Sequence, residues 1–401
     1  MRILQLCNKP PFPPKDGGGI AMNNITRGLL DAGHEVKLLT VYTNKHDLDL
    51  SELSKEYIDA TDVEGVFIDT QINLVDAFSS LITQDSYNVS RFFSPDLDIR
   101  LTDILKRSDF DVVHLESLFM TPYIGTIRRF SKAKIVLRSH NLEYIIWERI
   151  AAGTKNRAKK AYLKYLSKKL KNYELSVINQ VDGIASISKE DQMKYVDLGC
   201  DKPTVNVPFG VNISNYPNAS VVSEVPTLFH IGAMDWRPNL EGILWFLEDV
   251  WPKVSERCPE LKLHLAGRGL DQDMLPSNMK NVVVHGEVES AKQFMAEHSI
   301  MIVPLLSAGG IRVKIIEGMA SGKTVISTSV GAEGIDYTNE EDLIIADDAE
   351  SMIDQIEQLV NAPNTIQQIG ERARKKASVD FDNVLIINEL IAFYSQLIEA
   401  K

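Results

Sequence analysis

The chain is poor in cysteine and has no long apolar run, and each shortage excludes a class of protein. Its three cysteines, Cys7, Cys200 and Cys258, are widely spaced and form no CxxC pair. This odd, widely spaced set fits reduced thiols in a cytosolic protein rather than a disulfide framework. No apolar run approaches the roughly 18–20 residues that span a bilayer. We therefore expect any membrane contact to be peripheral.

An excess of positive charge is also missing. Lys and Arg number 43 against 55 Asp and Glu, which gives a net charge of −12. This balance argues against a general nucleic-acid binder. The sequence contains no HExxH, GxSxG or P-loop motif. Aspartate triplets such as Asp47-Leu48-Asp49 do occur, but in so acidic a chain they are weak evidence for a metal site.

What the chain does have is a regular alternation of short β-branched runs and helical patterns over its 401 residues. Such alternation predicts parallel sheets covered by helices on both faces. Two successive series predict an α/β protein with two doubly wound domains. The linker composition between Pro208 and about Pro226 marks the expected boundary. We expect one long helix from about Leu142 to Gln180 and a final helix in 380–401 that docks on either domain.

The segment from Val303 to Gly322 has the pattern of a ligand site. A buried strand is followed by Gly309 and Gly310, and then by a helix with Arg312 and Lys314 in its first turn. Exposed backbone N–H groups, the helix N-terminus and the two side-chain cations together suit a bound diphosphate. Glu317 shares an apolar stripe of this helix, where an unpaired carboxylate is costly. Its expected partner is either a protein cation or a ligand hydroxyl.

Three further groups lie at strand ends or helix starts, where phosphates bind in doubly wound folds. They are Gly17, Gly18 and Gly19, then Gly267 and Arg268, and then Arg237. Each group has an ordinary alternative: a flexible turn for the glycine run, a strand–helix turn for the second group, and a solvated loop charge for the third. The glycine run is not GxGxxG, so a dinucleotide fingerprint is absent.

Polar side chains also end two neighbouring strands of the first half. His114 and Glu116 close one strand, and His140, Asn141 and Glu143 follow the next. Lone histidines are more often structural than catalytic, but two such clusters together favour a site.

A basic stretch, Lys155–Lys171, interleaves lysines with Tyr and Leu. It predicts an amphipathic helix that either lies on an anionic membrane or is simply solvated.

Several of these segments together resemble the family 4 (group 1) retaining glycosyltransferases. The segment from Gly310 to Thr328, followed by Gly331-Ala332-Glu333-Gly334, resembles the family's donor-site block. The other matching segments are the Gly17–Gly19 loop with Ala32–Val36, the interdomain segments Ser186–Asp191 and Pro208–Asn212, and the second-domain opening His230–Asn239. The match covers most of the chain.

The resemblance implies the GT-B architecture, in which two Rossmann-like domains face each other. Residues 1–210 would form the acceptor-side domain, joined by the last helix in 380–401, and residues 211–379 would bind the nucleotide-sugar. Glu317 would bind the ribose hydroxyls, while the glycine loop and the second-domain cations would hold the diphosphate. The resemblance implies no cofactor and no metal, with the nucleotide-sugar as co-substrate.

The sequence departs from the family pattern at three positions. Gly309 stands where the family often has a glutamate near the donor sugar. Arg237 is the cation nearest to the usual Arg and Lys after the first strand of the second domain. Glu116, two residues after His114, occupies the place of the catalytic-site histidine.

Together with these residues, the resemblance implies a retaining, hexosyltransferase-type enzyme, with Glu116, His140, Arg312 and Lys314 as the expected catalytic residues. The acceptor would be a glycan or lipid-linked molecule in surface polysaccharide or glycolipid synthesis. The enzyme would act in the cytoplasm or at the inner face of the membrane, without nucleic acid. Two alternatives stay open: a nucleotide-sugar epimerase of the same architecture, and a non-catalytic sugar-nucleotide sensor or scaffold.

Overall fold

The computed structural model describes residues 1–14, 17–69, 87–216, 225–276, 279–307 and 310–400, with the backbone alone at 87 and 88. The chain divides into two compact units. The first comprises Met1–Gly210 with Val384–Lys401, and the second comprises Val211–Asn383. Part of the expected linker, residues 217–224, lies outside the described residues.

The first unit is built on a parallel sheet of seven strands in the order β3-β2-β1-β4-β5-β6-β7. The strands are β1 (Arg2–Cys7), β2 (Glu35–Tyr42), β3 (Glu64–Phe67), β4 (Val112–Glu116), β5 (Lys134–Ser139), β6 (Gly183–Ser186) and β7 (Thr204–Asn206). The central strands β4 and β5 are buried along almost their whole length. Burial on both faces explains why each contains an apolar run, Val112–Val113 in β4 and Ile135–Leu137 in β5.

Helices flank this sheet. They are α1 (Gly17–Asp31), α2 (Lys55–Thr61), α3 (Tyr87–Ser90), α4 (Pro95–Arg107), α5 (Ile124–Phe130), α6 (Glu143–Gly153), α7 (Arg157–Val177) and α8 (Lys189–Asp197). The expected single helix from Leu142 to Gln180 is wrong. It is divided into α6 and α7 because Asn156 has extended backbone and its side chain accepts a hydrogen bond from the Lys159 N–H, which caps a new helix.

The second unit has a parallel six-stranded sheet in the order β10-β9-β8-β11-β12-β13. Its strands are β8 (Thr227–Ile231), β9 (Lys262–Ala266), β10 (Val282–Gly286), β11 (Ile300–Val303), β12 (Thr324–Ser327) and β13 (Ile344–Ile345). Its helices are α9 (Arg237–Trp245), α10 (Trp251–Arg257), α11 (Ala291–Glu297), α12 (Val313–Ala320), α13 (Ala349–Asn361) and α14 (Pro363–Asp380).

The last helix, α15 (Asn383–Glu399), belongs almost entirely to the first unit. Its apolar side chains, including Leu390 and Phe393, share a buried cluster with Ile3, Val112 and Val136 of the first sheet. The C-terminal segment therefore completes the core of the first unit.

Both sheets are parallel and helix-covered, which confirms the predicted α/β fold of two doubly wound domains. In each sheet the strand order reverses at one place, between β1 and β4 in the first unit and between β8 and β11 in the second. Ligands of doubly wound folds bind outside the carboxyl ends of the strands at such a switch point. None of the helices among the described residues is long and apolar enough to cross a bilayer.

Candidate functional site

The switch point of the first unit surrounds a buried carboxylate, Glu116, at the end of β4. Its Oε1 accepts a hydrogen bond from Gln5 Nε2 at 2.9 Å and lies 3.1 Å from His114 Nε2. Its Oε2 accepts from His140 Nε2 at 2.8 Å and from Arg138 Nη1 at 3.4 Å. The side chains of Glu116 and Arg138 are 0% and 1% exposed. The carboxylate is thus surrounded by donors and has no contact with solvent.

These donors decide the charge of the site. Burial alone would raise the pKa of the Glu116 carboxyl, but the Arg138 charge, His114 and the hydrogen bond from His140 hold it well below its usual value. Glu116 is therefore ionised at neutral pH. Tyr394 of α15 contacts His114 Nδ1 and fixes the other side of that ring. The last helix thereby supports the site as well as the core.

His140 is the member of this cluster that reaches the surface, with its side chain 19% exposed. Burial lowers the pKa of His140 more than the Glu116 carboxylate raises it. The imidazole is therefore neutral at pH 7, with the Nε2 proton directed at Glu116. Nδ1 then presents a lone pair, so His140 can accept a proton or a hydrogen bond from a ligand.

The glycine run opens α1 at the same edge of the sheet, after the loop that follows β1. Gly17 is exposed, Gly18 is partly exposed and Gly19 is buried. A helix that begins with glycines leaves room for a ligand against its first N–H groups. Lys15 and Asp16, which precede the run, lie outside the described residues.

The switch point of the second unit contains a partly buried amine, Lys314, in the first turn of α12. Its Nζ donates a hydrogen bond of 2.8 Å to Asn239 Oδ1. Burial, followed by the Arg312 charge, lowers the pKa of Lys314 to about 7, against a smaller opposing effect of Glu317. A Cβ at Gly232 would lie 2.5 Å from Nζ. The absence of a side chain at Gly232 therefore makes room for the amine.

Arg312 precedes this turn as the N-cap residue of α12 and is only 7% exposed. Its guanidinium donates to the Gly310 carbonyl and lies 5.4 Å from the centroid of the Trp236 ring. Gly310 has a φ of +79°, a conformation that favours glycine. Arg312 therefore fixes the backbone just before the N-terminus of α12. The predicted donor residue Gly309 lies outside the described residues.

Glu317 lies one turn further along α12, and its partner is a tyrosine. Tyr216 OH donates to Glu317 Oε1 at 2.9 Å. Burial raises the pKa of Glu317, while the Tyr216 hydrogen bond and the charges of Lys292 and Lys314 act against that rise. The sequence offered a protein cation or a ligand hydroxyl as partner, and the structure provides a protein hydroxyl instead. The second carboxylate oxygen can accept a further hydrogen bond.

The two remaining predicted cations point to acidic neighbours. Arg237 has its side chain 86% exposed and pairs with Glu241 at 2.6 Å. Arg268 Nη2 lies 3.0 Å from an Asp235 carboxylate oxygen. Gly267, which follows β9, packs against the backbone of Gly232, which follows β8. A Cβ at Gly267 would lie 1.8 Å from the Gly232 carbonyl oxygen. Gly267 is thus required for the packing of the turns after β8 and β9.

Several residues of these clusters were missed by sequence reasoning. Gln5 and Arg138 are polar residues inside apolar strands, and that pattern is a usable signal of a buried site. His230 is another such residue: it is 0% exposed, Nδ1 lies 2.9 Å from the Ile302 carbonyl oxygen, and Nε2 has no hydrogen-bond partner among the described residues. Tyr216 lies in a segment of linker composition, where no sequence signal marks it.

Comparison with known proteins finds a matching family model in each half of the chain. Residues 15–215, half of the chain, match the family model for Glycosyltransferase Family 4, and residues 225–362 match the model for Glycosyl transferases group 1. A Klebsiella pneumoniae protein named "Uncharacterized 44.6 kDa protein in cps region" is 24% identical over 363 residues, which are 86% of this chain and 88% of that protein.

Solved structures show the same fold. Sucrose-phosphate synthase from Thermosynechococcus elongatus superposes with a TM-score of 0.72 at 16% identity, covering 100% of both chains. Anabaena HepE in complex with UDP superposes with a TM-score of 0.69 at 12% identity, covering 99% of this chain and 100% of that one. The chain therefore belongs to glycosyltransferase family 4, carries a group 1 glycosyltransferase domain in its second half, and has the GT-B fold.

Proposed function

We propose that the protein is a retaining hexosyltransferase that moves a sugar from a nucleotide-sugar to a glycan or lipid-linked acceptor. The observation that carries this proposal is the start of α12, where Arg312, Lys314 and Glu317 gather at the switch point of the second unit. The relative from the cps region supports a role in the synthesis of a surface polysaccharide or glycolipid. The reduced thiols, including the buried Cys7, are consistent with action in the cytoplasm.

In this proposal Glu317 accepts hydrogen bonds from the ribose hydroxyls, and Arg312, Lys314 and backbone N–H groups stabilise the departing diphosphate. Gly310 and Gly267 leave room for the phosphates to approach the backbone. Arg237 and Arg268 lie at the edge of the proposed diphosphate site. In the first unit, His140 meets the reacting sugar or the acceptor, and Glu116 positions it. The transfer needs no metal, because the side-chain cations neutralise the leaving group. Since HepE was solved with UDP, we propose a uridine diphosphate sugar as donor.

Glu317→Gln tests the ribose role. We expect UDP affinity to fall about 10- to 150-fold, because a hydrogen bond to a charged group contributes about 1.5–3 kcal/mol. The amide oxygen can still accept from Tyr216, so the melting temperature of the ligand-free protein should change little. Calorimetric titration with UDP, beside unliganded melting curves, measures both quantities.

Two controls make this result specific. Tyr216→Phe removes the protein hydroxyl that binds Glu317 and should lower stability by about 0.5–1.5 kcal/mol with a smaller effect on UDP. The exposed Glu289 of the same unit serves as a matched substitution, Glu289→Gln. If Glu317→Gln lowers the melting temperature but leaves UDP affinity intact, the carboxylate has only a structural role.

The lowered pKa of Lys314 predicts that diphosphate binding depends on pH. With its pKa lowered to about 7, the unliganded amine loses its proton as pH rises above that value, whereas the bound diphosphate favours the charged form. UDP affinity should therefore fall between pH 7 and 9, approaching about tenfold per pH unit. Uridine, which lacks phosphates, should show no such slope. Lys314→Met should abolish the slope for UDP, and an unchanged slope in that variant would assign the titration to another group.

The basic helix α7 supports a location at the inner face of the membrane. Lys159, Lys164 and Lys168 are exposed, and Tyr162 and Tyr165 on the same helix are 41% and 38% exposed. Each cation near an anionic surface contributes about 1 kcal/mol. We expect binding to vesicles with anionic lipid, weak binding to neutral vesicles, and loss of the difference when the three lysines are changed to alanine. Equal flotation with both vesicle types would leave α7 as a solvated helix.

A further inference from the structure

Three histidines meet at the outer edge of the second sheet. His264 lies in β9, His285 lies in the edge strand β10, and His298 follows α11. One ring nitrogen from each lies within 4.8 Å of the others, and no other group of three or more potential metal-ligating side chains occurs among the described residues. None of the three is assigned to the donor site proposed above.

Packing holds these rings in place. The His264 and His298 ring centroids are 4.2 Å apart, and Phe294 of α11 packs edge-on against His298 at 4.6 Å. His264 Nδ1 lies 2.9 Å from His285 Nε2. The cluster therefore joins two strands and the end of a helix through direct ring contacts.

His298 carries the clearest sign of a missing ligand. It is only 8% exposed, and its Nδ1 lies 3.3 Å from Thr227 Oγ1. Its Nε2 is buried and has no hydrogen-bond partner among the described residues. A buried nitrogen without a partner is costly. Metal-binding histidines commonly use one ring nitrogen for an orienting hydrogen bond and the other for the metal, and His298 has that arrangement.

The charge state of the cluster is also suitable. Burial, followed by the neighbouring histidines and Lys323, lowers the pKa of His298 to about 4. Burial and His285 likewise lower the pKa of His264. Both rings are therefore neutral at pH 7 and offer lone pairs, which is the state that binds a metal ion.

We propose that His264, His285 and His298 bind a divalent transition-metal ion, with Zn²⁺ as the ion best suited to three imidazoles. Zinc–nitrogen bonds of about 2.0–2.1 Å in a tetrahedral site place the ligand nitrogens about 3.3 Å apart. The His264 and His285 nitrogens, now 2.9 Å apart, would separate slightly around the ion, and the third nitrogen, within 4.8 Å, would approach it. Imidazole sets of this kind do not suit Mg²⁺ or Ca²⁺, which prefer oxygen ligands. The fourth position of the ion is open to water.

Such an ion would fasten the edge strand β10 to β9 and to the segment after α11. Its role is to stabilise the second unit, and it is separate from the metal-free transfer proposed above. The inference therefore does not depend on the enzyme's donor or acceptor.

The test uses the full chain after treatment with a chelator, titrated with Zn²⁺ by calorimetry and by thermal melting. We expect one equivalent of Zn²⁺ to bind and to raise the melting temperature, with no effect of Mg²⁺. His285→Ala, an exposed position, should weaken Zn²⁺ binding by more than about tenfold, and Thr227→Val should weaken it by about 10- to 100-fold, as loss of an orienting partner does.

His34→Ala, a change in the first unit, is the matched control and should bind Zn²⁺ as the unaltered protein does. Because His298 is buried, His298→Ala is informative only alongside the exposed His285 variant. Absence of Zn²⁺ binding to the unaltered chain would overturn the proposal. Binding that is equally strong in His285→Ala and Thr227→Val would overturn it as well, since the ion would then lie elsewhere.

Discussion

Glu116→Ala is expected to lower the free energy of unfolding by about 3–5 kcal/mol, since it leaves a buried cation without its partner. Arg138 is 1% exposed, and Glu116 is its ion-pair partner at 3.4 Å. Gln5 and His140 would lose their acceptor in the same substitution. Urea unfolding of the variant, followed by circular dichroism, measures the loss.

The difference in unfolding free energy between the unaltered protein and Glu116→Ala should shrink as pH falls. The pKa of Glu116 is held below its ordinary value in the folded protein, so its contribution is present above the unfolded pKa and is lost as pH falls through the folded pKa. We therefore expect the unaltered protein and Glu116→Ala to converge in stability in acid, well below pH 4.

Two further variants separate stability from activity. Glu35→Ala breaks the exposed ion pair with Arg2 and should cost no more than about 1 kcal/mol. His140→Ala removes one donor to the Glu116 carboxylate but keeps the ion pair with Arg138. It should therefore cost less stability than Glu116→Ala, about 1.5–3 kcal/mol, and should reduce turnover because the partly exposed imidazole is lost. A Glu116→Ala protein as stable as the unaltered one would contradict the buried ion-pair account.

Arg312→Ala is expected to reduce the rate of sugar transfer by about 100- to 1000-fold, the usual cost of losing one group that stabilises developing charge. Arg312 occupies the N-cap position of α12, donates to the Gly310 carbonyl and lies against Trp236. Its loss removes a positive charge next to the proposed diphosphate and releases the helix entry. Uridine binding should change less than turnover, because uridine carries no phosphate.

Matched substitutions show whether charge or shape matters at this position. Arg312→Lys keeps the charge but not the planar guanidinium, so an intermediate rate is expected. Arg257→Ala removes an exposed arginine of the same unit that pairs with Asp354 and Glu357, and it should leave turnover unchanged. Turnover of Arg312→Ala within a few-fold of the unaltered protein would remove Arg312 from the leaving-group site.

The α/β fold could be predicted from the sequence because parallel strands that are buried on both faces appear as short apolar segments between helical patterns. β11 is wholly apolar, β1 and β4 are apolar apart from a few polar residues such as Gln5 and His114, and helical patterns separate the strands along the chain. The predicted long helix failed for a local reason, since residues 153–157 carry no large apolar side chain and the new helix starts at a cap, Asn156, that depends on one side-chain hydrogen bond. Hydrophobic periodicity does not report such a cap.

The site was predictable only in part. Arg312, Lys314 and Glu317 lie where the glycine–helix pattern places them, but their partners come from distant segments. Tyr216 is 101 residues before Glu317, and Asn239 is 75 residues before Lys314. Contacts between such remote positions depend on tertiary packing, which one sequence without structure does not reveal. The histidine cluster at the edge of the second sheet was missed for the same reason, because its members belong to three separate elements.

The most direct test of the central claim is to follow a uridine diphosphate sugar with the unaltered protein and a lipid-linked acceptor by proton NMR. The account predicts release of UDP and a product whose anomeric configuration is that of the donor. A product of opposite configuration would contradict the retaining mechanism, and a donor returned with a changed sugar would identify an epimerase. Saturable binding of the donor without any turnover, with lipid-linked and free glycan acceptors alike, would contradict catalysis and identify a sensor.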